Sequence, residues 1–143
     1  MEVFDFMSTN VYTFSGAVLI VGSCLPQVSP KGFAACAAGM DQIFSLCLEQ
    51  THINMAITKL SAILGAGQVR RIRFATVDRS PHCTQMHYMV HEIERILPEH
   101  IPMEQFVVLQ DSPVAVSPEA VELSKSLARL TRSLQKDDAG FRA

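Results

Sequence analysis

Three runs of apolar, mostly β-branched residues stand out along the chain. Residues 17–21 (AVLIV) are apolar without interruption, the pattern of a strand covered on both faces. Residues 69–77 (VRRIRFATV) and 105–109 (QFVVL) are the second and third runs. Residues 11–14 (VYTF) read as a fourth strand, at an edge or in a hairpin turning through Ser15 and Gly16. The stretches between these runs have helical spacing. Ser29-Pro30, Ser80-Pro81 and Ser117-Pro118 repeat one start signal, an N-capping serine before a proline at the first helical position. They predict helices over about 30–49, about 81–97 and about 118–135. Asn54 as a cap predicts another over about 55–65, closed by Gly65-Ala66-Gly67. On this reading 30–65 is one bent helix or a pair.

Strands alternating with helices predict an α/β fold: a single three-layer domain over 1–135, with a small, mostly parallel sheet of three or four strands flanked by helices. Residues 136–143 read as a polar, frayed tail. So small a sheet leaves apolar helix faces uncovered, which predicts a homo-oligomer.

Composition narrows the function classes. Of 143 residues 48% are hydrophobic and 18% charged, and the formal net charge is −2. No broad basic field invites nucleic acid or an anionic membrane. The most apolar run, residues 16–26, is about half of the roughly 20 residues a membrane span needs. The acidic opening MEVFDF lacks the basic start of a signal peptide. Cys24, Cys36, Cys47 and Cys83 form no CxxC pair, so a cytoplasmic protein with reduced thiols is expected.

In open α/β sheets ligands bind beyond the carboxyl ends of the strands. Three loops belong there: 22–29 (GSCLPQVS), 78–83 (DRSPHC) and 110–113 (QDSP). The second is the richest. With Ser80 as N-cap, His82 and Cys83 fall in the first helical turn, where unpaired N–H groups and the helix dipole favour negative charge. Cys83 is therefore a candidate reactive or metal-binding thiol, and Arg79 with Ser80 a candidate anion cradle. A small residue in a well-capped turn is the bland alternative. His82 is placed to shuttle a proton, and Asp78 to orient Arg79 or an imidazole.

Cys83, His87 and His91 recur every four residues, which lines them along one helical stripe. At ~100° per residue the apolar stripe Met86, Met89, Val90, Ile93 and Leu97 centres about 75° from Cys83, about 115° from His87 and about 155° from His91. Cys83 should border the core, His87 sit at its edge and His91 face solvent. A metal site would therefore draw on Cys24, Cys83, His87 and Asp111 from neighbouring loops, holding zinc or an iron–sulfur centre. Cys24 could instead partner Cys83 as a redox pair. Cys36 and Cys47 share a stripe with Phe33, Met40 and Phe44 and read as core. Arg71 and Arg73 share one strand face, Ile72 and Phe74 the other.

Familiar catalytic motifs are missing. Gly65-Ala66-Gly67 precedes a strand and lacks the third glycine of a dinucleotide loop. There is no P-loop and no GxSxG elbow. Three functions remain open: a Cys/His site for metal or thiol chemistry, a module binding an anionic small molecule or nucleotide without chemistry, and an oligomerising structural subunit.

Overall fold

A computed structural model describes residues 2–138. The strands are β1 (Val3–Asp5), β2 (Gly16–Gly22), β3 (Gln42–Leu46), β4 (Val69–Val77), β5 (Met103–Leu109) and β6 (Ser112–Ala115). The helices are α1 (Leu25–Val28), α2 (Pro30–Ala37), α3 (Ile53–Gly65), α4 (Pro81–Ile96), α5 (Pro118–Ser124) and α6 (Leu127–Asp138). The strands form one sheet in the order β1-β3-β2-β4-β5-β6. Every neighbouring pair is parallel except β5–β6. This is the expected three-layer α/β fold, with six strands in place of three or four.

Two apolar layers hold the helices to the sheet. Val18 and Ile20 of β2, Phe44 of β3 and Ile72 and Phe74 of β4 point to one face, where α3 and α4 add Leu60, Ile63, Met86, Met89 and Val90. Leu19 and Val21, Ile43, Ala75 and Val108 point to the other, under Leu25 of α1 and Cys36 and Ala37 of α2. The second layer is thinner. A Cβ on Gly32 would collide with Val108 Cγ1, so α2 rests on β5 at a distance only glycine permits. On that face Arg73 donates to the carbonyls of Cys36 and Ala38 at 2.7 and 3.2 Å and pairs with Glu104 at 3.3 Å.

All three Ser-Pro starts are real caps, with the serine Oγ accepting from Gly32 N at 3.0 Å, Cys83 N at 3.4 Å and Ala120 N at 3.1 Å. Four expected elements take another form. The helix over 30–49 ends at Ala37, turns through Gly39 at φ 78°, and becomes β3. Segment 30–65 is therefore helix, strand, helix, and Cys36 and Cys47 share no stripe. Cys36 is buried under the sheet, and burial raises its thiol pKa against the opposing pull of Arg73. Residues 11–13 form a 3-10 turn instead of a strand, because Asn10 Oδ1 accepts from Tyr12 N at 2.9 Å and winds the backbone. The helix starting at Pro118 breaks after Ser124 and restarts at Leu127. Asn54 lies inside α3, whose cap is His52. Helix α6 takes in residues 136–138 of the expected polar tail, and the rest of that tail lies outside the described residues.

Candidate functional site

Strand order sets where a crevice can form. From β2 the chain passes through α1 and α2 to β3, then through α3 back across β2 to β4. The helices that follow β2 and β4 therefore cover opposite faces. The carboxyl ends of β2 and β4 are thus the switch point of the sheet, the place where such folds bind ligands. The β2–α1 turn and the β4–α4 turn lie there, as the sequence implied.

The β4–α4 turn is unusual locally. Arg79 adopts φ 70°, in the left-handed region that costs a side-chain-bearing residue free energy. It is exposed and makes no ion pair among the described residues. Ser80 then caps α4 through Cys83 N at 3.4 Å, the longest of the three Ser-Pro caps. Cys83 is 8% exposed. A Cβ on Gly22 would stand 2.9 Å from its sulfur, so the thiol lies directly over the end of β2. Cys24 is exposed at the head of α1, and all four cysteines are free.

The other candidates are dispersed. Asp111 belongs to the tight β5–β6 turn, where Gln110 and Asp111 both have positive φ, 50° and 65°. Its Oδ1 accepts from Ser29 Oγ at 2.6 Å, tying that hairpin to the head of α2. His82 faces Glu49 at 3.8 Å. His87 is not at the edge of the core but inside it, 3% exposed. Gln105 Nε2 donates both to the His87 carbonyl at 3.2 Å and to Nδ1 at 3.1 Å. Nε2 of His87 must then carry the proton and donate to Thr76 Oγ1, 2.8 Å away. Burial pushes the imidazole pKa down from 6.5 to about 4. With both nitrogens engaged, His87 is a core histidine here, not a ligand. His91 is half-buried, not solvent-facing: its Nδ1 lies 2.9 Å from Glu122 Oε1 of α5. That contact, with Lys125 beside it, holds the Glu122 carboxyl below its usual range.

Among the described residues no three of His, Cys, Asp and Glu converge closely enough to hold a metal ion. The expected set of Cys24, Cys83, His87 and Asp111 is not gathered into one shell. Of the expected residues, Cys83 and Ser80 share one turn over the end of β2, with Arg79 and His82 on the same turn. Asp78, the residue before Arg79, lines a cavity between α4 and α5. The sequence reading missed Thr76, Gln105 and Glu122. Each was visible only as an isolated polar residue in an apolar or charged stretch. A second hollow of about 360 Å³ lies at the opposite, amino-terminal edge, around Val69, Leu97 and Ile101.

No helix among the described residues is long and apolar enough to cross a membrane. No curated protein and no solved structure matches the chain. A family model does match residues 14–140, and the chain belongs to that family, the Rossmann-like domain.

Proposed function

We propose that the protein is a binding module that holds an anionic small molecule at the switch point between β2 and β4. The observation that carries this reading is the β4–α4 turn. There an exposed, left-handed Arg79 stands beside a helix start whose cap bond is long. The Ser80 hydroxyl and the N–H of His82 supply donors, and Arg79 supplies counter-charge. A phosphate or carboxylate group is the matching chemistry, and nucleotides are the natural candidates by analogy with the fold class alone. The chain has no glycine-rich dinucleotide loop, so recognition of a pyrophosphate by backbone cradling is not expected. The reading carries a cytoplasmic setting with it, since four free thiols suit a reducing compartment.

Thermal unfolding with inorganic phosphate and with ADP at millimolar levels tests it. The expected result is a rise in Tm that shrinks in Arg79→Gln and persists in Cys83→Ser. Unchanged Tm with both ligands would overturn the reading.

A second reading, thiol chemistry, has one specific observation in its favour: two free cysteines lie on the turns that follow β2 and β4, Cys24 exposed and Cys83 over Gly22. It predicts that Cys83 reacts with a thiol reagent faster than a buried cysteine should near neutral pH. Self-association finds support in Leu127 and Leu134 of α6, which are exposed on one helical face. Sedimentation of the wild type beside Leu127→Ser/Leu134→Ser checks it, with a single-chain mass in both refuting it.

A further inference from the structure

The hollow between α4, α5 and the β5–β6 ribbon is lined by none of Arg79, Ser80, His82 and Cys83 and does not rest on the anion reading. Its volume is about 310 Å³, at the small end of the range for ligand pockets. One wall is apolar. Val107 and Val114 are cross-strand partners, so they present to the same face, and Val116 extends the surface they make. Val114 remains 44% exposed, apolar area that the fold itself leaves uncovered. Ala120 and Val121 of α5 close the opposite side.

Most polar atoms around this space already have partners. The His87 ring is engaged by Thr76 and Gln105. Thr84 Oγ1 donates to Ser80 O at 3.0 Å, and Ser124 Oγ donates to Val121 O at 2.7 Å. Two polar groups remain open. The Tyr88 hydroxyl has only a 3.3 Å contact with Ser124 Oγ. Asp78, at the end of β4, uses its backbone N–H on Val108 O, while its carboxylate makes no hydrogen bond or ion pair among the described residues. The nearby cation Lys125 is occupied by Glu122 at 3.2 Å and by the Tyr88 ring.

A mostly apolar, open hollow with an unpaired carboxylate among its lining residues favours one kind of occupant. We propose that this cavity binds a small apolar amine, its ammonium group on Asp78 and its hydrocarbon or ring between the valines of β5–β6 and Ala120. A carboxylate left without a partner beside apolar side chains attracts an ammonium group, and it repels an anion of the same shape.

The test is an amide NMR titration of the full chain with 2-phenylethylamine, compared with 3-phenylpropionate, which matches it in shape but not in charge. The amine is expected to shift the amides of Val107, Val114 and Ala120, and the acid to leave them in place. Asp78→Asn should weaken the amine by about tenfold. Ala120→Trp, which fills the space, should abolish its effect while phosphate still shifts His82 and Cys83. Equal binding of amine and acid would overturn the proposal, as would no response to the amine, or binding unchanged in Asp78→Asn. The amine–acid comparison and Asp78→Asn decide the matter even if Ala120→Trp fails to fold.

Discussion

On its inner side α4 joins α3 and the strands through Met86, Met89, Val90 and Ile93, all of them buried. On its outer side it meets α5 through a tyrosine hydroxyl, a histidine–glutamate pair and a cavity of about 310 Å³. Only Val121 of α5 is buried. The contrast separates two tasks. Dense apolar packing fixes where α4 starts, and so where Arg79, Ser80 and Cys83 stand relative to β2. Polar, loosely filled contacts hold α5 in place at much smaller cost to open, as expected of segments with few buried apolar groups.

The contrast can be broken first from the inner side. Phe74→Ala removes a fully buried ring from beneath α4 and should cost about 3–5 kcal/mol. Denaturant unfolding measures it, and a loss near that of a surface substitution would mean the inner side is not the foundation.

His87 lies on the boundary between the two sides and gives the next largest effect. Its folded pKa is depressed to about 4 from 6.5, so between those values the unfolded chain holds more protons than the folded one. The stability it contributes is complete above about pH 6.5 and is lost as pH falls through about 4, a total near 3 kcal/mol. Urea unfolding at several pH values should show that slope, flattened in His87→Gln. An identical slope in the variant would remove His87 as its source.

Much of this arrangement was legible in the sequence, and the illegible parts have physical causes. Strand β2 and the start of α4 follow from an uninterrupted apolar run and a Ser-Pro cap, both local signals. Strand β3 was hidden because Phe33, Met40 and Phe44 happen to keep helical spacing across Gly39, the residue that turns the chain. Nothing local marks β1, whose three residues are set by pairing with β3. The break in the last helix falls at Lys125 and Ser126, neither a strong breaker. His87 and His91 were misplaced for one reason. The angular reading assumed a single buried stripe on α4, whereas that helix is covered by the sheet and by α5 on a second side. At the site, the turn of Arg79, Ser80 and Cys83 was readable from chain order. That Asp111 and His87 are held elsewhere was not, because their partners, Ser29 and Gln105, come from distant positions.

Two smaller effects sharpen the outer side. Val121→Ala should cost about 1–2 kcal/mol and speed amide exchange in α5 while leaving α3 and α4 protected; loss of protection throughout would show α5 to be part of the main core. Glu122→Gln removes the partner of His91 on an exposed carboxylate, so global stability should hardly move. Exchange in α5 should nevertheless quicken, and identical exchange would assign α5 to its apolar contact alone.

The most direct test of the anion site is an amide NMR titration of the wild type with inorganic phosphate at constant ionic strength. The account predicts saturable shifts at His82 and Cys83, weakened in Arg79→Gln, with Val114 and Ala120 unmoved. Shifts scattered over the surface, or none at the start of α4, would contradict it.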